Sequence, residues 1–104
     1  MSKLTIVAKV VARKNSIEKV KNELLSLVEP TRKENGCQEY RLHQDNDDPA
    51  VFIFYEIWKN QLSLEQHLRS RHYLDYLAAV DGFLAHKLVQ KMTGIEAGLE
   101  ECPF

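Results

Sequence analysis

Between Pro49 and Tyr76 the chain gathers Glu56, Trp58, His67 and His72, residue types that can do acid–base chemistry beside aromatic walls. An imidazole titrates near neutral pH and can accept a proton from a substrate. A carboxylate set among aromatics needs a partner, or burial raises its pKa. A carboxylate–imidazole pair would fix one ring tautomer and tune its basicity. Such a pair can serve in general acid–base chemistry. The expected base is His67 or His72, with Glu56 as its orienting partner. Trp58, Tyr40 and Tyr76 are the expected walls, and the two phenols could donate hydrogen bonds to a substrate oxygen. Each aromatic has a packing role compatible with this one. Glu56, His67 and His72 also spell a two-histidine, one-carboxylate iron set. The five-residue spacing of the histidines splays them apart on a regular helix, so no metal is expected.

The elements around these residues follow from period and punctuation. Ala50 to Lys59 reads as a strand with Phe52, Phe54, Glu56 and Trp58 on one face and Val51, Ile53, Tyr55 and Ile57 on the other. Leu4 to Arg13 reads as a first strand, also apolar on both faces apart from Lys9, whose stem can lie on the sheet while its head reaches water. Asn15 and Glu18 resemble a capping box opening a helix with Ile17, Val20, Leu24, Leu27 and Val28 inward. Pro30 should kink its last turns, and Asn35-Gly36 should stop it. Cys37 to Gln44 is a second strand, joined to the third by the Asp45–Pro49 turn as an antiparallel hairpin. Ser63 and Gln66 form a second capping box, with Leu64 and Leu68 inward and His67 at the edge of the stripe. Ser70 re-caps a further segment, His72 to Val80, which Asp81-Gly82 ends. Ala85 to Ile95 is the last strand.

The order β-α-β-β-α-β is the ferredoxin-like α+β arrangement, an antiparallel sheet with helices on one face. One domain is expected over residues 3–95, with residues 96–104 a loose or partner-contacting tail. Strands apolar on both faces need cover on both. The simplest cover for the face without helices is a second copy of the sheet, hence a homodimer.

Composition narrows the function classes. The 104 residues carry a formal net charge of −1, and no basic face stands out, so nucleic acid is not an expected partner. Two cysteines, Cys37 and Cys102, are too few for a disulfide scaffold or a zinc site. No apolar run reaches membrane-spanning length and no signal-peptide pattern is visible, so a cytoplasmic protein is expected. His43 and His86 read as exposed strand residues.

Taken in order, Gly36-Cys37-x-x-Tyr40-x-Leu42, Pro49-x-x-Phe52, Tyr55-Glu56-x-Trp58, His67-Leu68 and His72 resemble the antibiotic biosynthesis monooxygenase (ABM) domain. The resemblance is greatest to the small bacterial quinol monooxygenases. It implies a dimeric α/β barrel with a pocket in each protomer between sheet and helices. It also implies oxidation of a small hydroxylated aromatic or quinol by O2 without flavin, haem or metal. The family contains haem-degrading members that use a helix histidine and a first-strand asparagine. The matching positions here are Lys9 and the neighbourhood of Leu77, which counts against haem. Another relative isomerises a phosphorylated sugar, so the fold does not fix the reaction. An isomerase of a small carbonyl or sugar-phosphate compound, and a non-catalytic dimeric ligand-binding module, are the alternatives.

Overall fold

A computed structural model describes residues 3–95 of the chain, and the expected tail lies outside them. The elements are β1 (Leu4–Ala12), α1 (Ile17–Arg32), β2 (Cys37–Gln44), β3 (Val51–Trp58), α2 (Gln61–Leu68), α3 (Arg71–Val80) and β4 (Leu84–Met92). The strands form one antiparallel sheet in the order β2-β3-β1-β4, the ferredoxin-like topology. Alternation decides the rest. Ile6, Ala8, Val10 and Ala12 of β1 and Phe52, Phe54, Glu56 and Trp58 of β3 are buried on one face, under the helices. Val20, Leu24 and Leu27 of α1, Leu64 of α2 and Tyr76 and Val80 of α3 close that core from above.

The helix boundaries depart from the capping-box expectations. A 3-10 turn, Lys14–Ser16, precedes α1, whose N-cap is Ser16 without a side-chain hydrogen bond, so Asn15 and Glu18 form no box. At α2 the cap is Asn60, whose Oδ1 accepts from the Ser63 amide at 2.9 Å. Ser63, Leu64 and His67 are buried under this helix, and Leu68 is partly exposed at its end. His67 is thus a core residue rather than an edge one. Ser70 behaves as expected: its Oγ accepts from the Tyr73 amide and donates to the His67 carbonyl at 2.7 Å. That single side chain ends α2 and begins α3, setting the angle between the two histidine-bearing segments.

Helix α1 continues through Pro30 and stops at Arg32. Gly36 follows with φ +97°, a left-handed conformation that favours glycine. It is also a close-approach point, because a Cβ there would collide with the Ser63 side chain. The loop between α1 and β2 is thereby pressed against the start of α2. In the hairpin turn, Asp45 Oδ2 accepts from the amides of Asp47 and Asp48, and Asp48 Oδ1 accepts from that of Ala50. No helix among the described residues is long and apolar enough to cross a membrane.

Candidate active site

Helices α2 and α3 and the end of α1 meet above β2 and β3, and the expected residues converge there. His67 has 2% of its surface exposed and Glu56 5%. The Trp58 indole stacks obliquely on His67, with centroids 4.8 Å apart, and its Nε1–H donates to Glu56 Oε1 at 2.9 Å. Tyr40 packs on Phe54 at 4.5 Å and edge-on to His67 at 5.7 Å. Tyr73, unforeseen in the sequence, lies 5.0 Å from His67 and 5.8 Å from Tyr76.

The expected Glu56–His pair is not formed; Glu34 takes that place. His67 Nδ1–H donates to Glu34 Oε2 at 2.7 Å, and His72 Nε2–H donates to the same oxygen at 2.6 Å. One carboxylate oxygen thus holds both imidazoles. Glu34 lies in the loop after α1, 33 and 38 residues from its two partners, and no local spacing announces it. The tight seating of Gly36 on Ser63 is what brings that loop to the histidines. A weak signal exists in the sequence: Glu34 stands two residues before Gly36, where the resemblance to the family begins.

Glu56 has a different task. Its only hydrogen-bond partner among the described residues is the Trp58 indole. Burial, with the charge of Glu34 adding and the indole hydrogen bond opposing, pushes its carboxyl up from 4.5 to about 7. Near neutrality it can therefore donate a proton or accept one. His67 is shifted the other way: burial lowers its pKa, against the opposing hydrogen bond to Glu34 and that group's charge. At neutral pH it is an uncharged imidazole. With Nδ1–H committed to Glu34, its free basic nitrogen is Nε2. Burial raises the Tyr40 and Tyr76 phenols above their ordinary range, so both stay protonated and able to donate. The half-buried Cys37 thiol is pushed up to about 11, chiefly by burial, and is no nucleophile at neutral pH.

These groups face a small cleft, open at its mouth, of about 90 Å³. Ile6, Ala8 and Val10 form the floor, and Glu56, His67, Tyr40 and Tyr76 all line it. Trp58 and His72 do not. Trp58 is wholly buried behind Glu56 and His67, and His72 lies beyond Glu34 with a quarter of its side chain exposed. The polar chain therefore runs from the cleft to the surface: His67, Glu34, His72. Lys9, His43 and His86 lie on the sheet face away from the helices and take no part.

Glu34, His67 and His72 also make up a two-histidine, one-carboxylate set with donor atoms within 4.8 Å of one another, Glu34 replacing the expected Glu56. The shared oxygen sits at hydrogen-bond length from both nitrogens, so two N–H protons already satisfy it. A cation would have to displace those protons and spread the three groups to coordination distances.

The family described as antibiotic biosynthesis monooxygenase matches residues 3–79. The chain is 30% identical over 83 residues to "Putative monooxygenase Rv0793" of Mycobacterium tuberculosis, covering 80% of this chain and 81% of that protein. The crystal structure of PA3566 from Pseudomonas aeruginosa superposes with a TM-score of 0.89 at 30% identity, over 92% of this chain and 97% of that one. The structure of Rv0793 does so with a TM-score of 0.86 at 26% identity, over 91% and 97%. The chain belongs to the antibiotic biosynthesis monooxygenase family, a family of monooxygenase-type enzymes, and has its ferredoxin-like fold.

Proposed function

We propose that this protein is a cofactor-independent monooxygenase that oxidises a small hydroxylated aromatic or quinol with O2. The observation that carries the reading is a neutral, buried imidazole, anchored through Nδ1 by Glu34, on the wall of an apolar cleft. Such a base can remove the phenolic proton of a bound aromatic. The resulting phenolate is electron-rich enough to pass one electron to O2, and the radical pair then joins to form a carbon–oxygen bond. Where the oxygenated carbon still bears a hydrogen, the hydroperoxide loses water. A CH2 and O2 become C=O and H2O. Glu56, with a carboxyl near 7, supplies or takes up the second proton, and the Tyr40 and Tyr76 hydroxyls stabilise oxygen anions as they form. Apolar walls exclude water, which protects the radical stage.

A base in a dry cleft must return its proton to solvent every turnover. The chain from His67 through Glu34 to the partly exposed His72 supplies that route in the His72 tautomer whose Nε2 carries no proton and can accept one from Glu34. In this reading residues 3–95 act as a homodimer, the second copy covering the apolar outer face of the sheet, as the resemblance implies.

The test is oxygen uptake by chelator-treated protein with a panel of hydroquinones and anthrones, wild type beside His67→Ala, His72→Ala and Glu56→Ala. Uptake above autoxidation, lost in His67→Ala and unchanged by chelation, is the expected result. Uptake abolished by chelation would overturn the cofactor-free mechanism. No uptake with any substrate would shift the weight to an isomerase or a binding module.

A further inference from the structure

The strand register makes the floor of the cleft an ordered grid. Glu56, Ile6 and Lys91 lie in one row across β3, β1 and β4; Phe54, Ala8 and Val89 in the next; Phe52, Val10 and Lys87 in the third. The β3 and β1 positions are buried, whereas Lys87, Val89 and Lys91 are exposed and line the cleft. The reason is placement: α1 packs on β2 and α2 on β3, the far side of the sheet from the edge strand β4. The cleft is therefore polarised. Glu56 and His67 occupy its deep end, the middle is apolar around the small Ala8, and two ammonium groups stand at the mouth.

Lysines on an edge strand often serve to discourage strand pairing. Here both point to the helix side and into the cleft, and neither forms an ion pair among the described residues. A cleft with low-dielectric walls strengthens the field of charges at its rim. Glu56 and Lys91 are two strand spacings apart, about 10 Å between Cα atoms. That is comparable with a fused bicyclic aromatic bearing a substituent at each end.

We infer that the cleft selects hydroxylated aromatics carrying a carboxylate at the end opposite the reacting hydroxyl, with Lys87 and Lys91 as its receptor. The hydroxyl enters toward His67 and Glu56, where a charged carboxylate would be disfavoured by burial and by Glu34. The carboxylate stays at the wet mouth, where its desolvation cost is small. The lysines thus orient the substrate as well as attract it. This rests on the cleft being the substrate site, as proposed above.

The experiment is calorimetric titration with 6-hydroxy-2-naphthoate and its methyl ester, two probes of nearly the same shape and different charge. The acid is expected to bind about tenfold more tightly than the ester at low salt, with the gap closing as salt is raised. A Lys87→Gln/Lys91→Gln double variant should bind both probes alike, with the ester affinity of wild type. Both side chains are exposed, so folding is unaffected, and far-ultraviolet circular dichroism checks this. Equal affinities in wild type, a preference that survives in the double variant, or no binding of the acid would each overturn the inference. The readout involves no turnover. A retained charge preference without oxygen uptake would sink the oxygenase reading alone, and the reverse pattern would sink this one alone.

Discussion

The two faces of the sheet are built from the same strands by the same alternation, yet they have become different kinds of surface. On the helix side, the apolar rows of β1 and β3 are interrupted by one carboxyl, Glu56, and sealed by helices that bring His67, Tyr73 and Tyr76. The outer face carries Val7 and Val11 of β1, Ile53, Tyr55 and Ile57 of β3, and Leu88 and Met92 of β4. Polar Glu39, Arg41 and His43 stand along its β2 edge. Leu88, Met92 and Tyr55 are each more than a third exposed there. A buried ionisable group is tolerable only where something pairs with it or uses it. An exposed apolar band is tolerable only where something covers it. The helix side therefore reads as chemistry and the outer face as assembly.

The comparison can be broken at several points. His67→Ala should cut oxygen-uptake kcat about a thousandfold, the scale of losing a general base. A loss of less than threefold would remove His67 from the mechanism. On the outer face, Val7→Asp should convert a dimer into a monomer in micromolar sedimentation runs, because it places a charge beside Tyr55 on the central strand of that face. A compact wild-type monomer under the same conditions would end the assembly reading.

Glu56 offers a stability test of the helix side. A carboxyl that ionises near 7 when folded, against 4.5 as the ordinary value, holds its proton more tightly in the native state. Its favourable contribution is complete below 4.5 and is lost as pH rises through 7, by about 3 kcal/mol. Glu56→Gln cannot ionise and keeps an acceptor for the Trp58 indole. Urea unfolding of the two proteins between pH 4 and 9 should show wild type losing that stability relative to the variant. Parallel curves would place Glu56 in a wetter environment than the structure shows.

Glu34→Gln tests orientation rather than burial. It should lower kcat about tenfold to a hundredfold with little change in KM, because a carboxamide cannot accept from both imidazoles through one charged oxygen. Glu34 also raises the basicity of His67 against burial, so the acid limb of the kcat profile should move to lower pH in this variant. An unmoved profile would reduce Glu34 to a structural tie. The smallest effect belongs to Gly36→Ala, expected to cost about 1–3 kcal/mol through its collision with Ser63 and its left-handed backbone. Thermal unfolding checks this, and a neutral result would mean that the loop is not held as tightly as described.

Local pattern carried much of this protein. Alternation in Leu4–Ala12 and Val51–Trp58 and the threefold and fourfold spacing in Ile17–Val28 gave the strands, the first helix and the topology. The short polar run Asp45–Pro49 gave the hairpin. Capping was misassigned where two hydrogen-bonding residues competed for one helix start. Asn60 rather than Ser63 caps α2, and His67, read as an edge residue, is buried. Glu56 was found because a carboxylate in an apolar row is conspicuous. Glu34 was not, because Lys33-Glu34-Asn35 looks like any solvated loop after a helix.

The sequence by itself therefore determined the sheet, its two apolar faces, the helices above it and the presence of a carboxyl and two imidazoles near them, because these depend on periods that repeat along the chain. Only the tertiary structure decided which carboxylate holds the histidines and which aromatics reach the cleft. Those choices depend on how tightly a glycine loop seats against a helix start and on the angle set by Ser70, contacts between residues distant in the chain that no local period encodes.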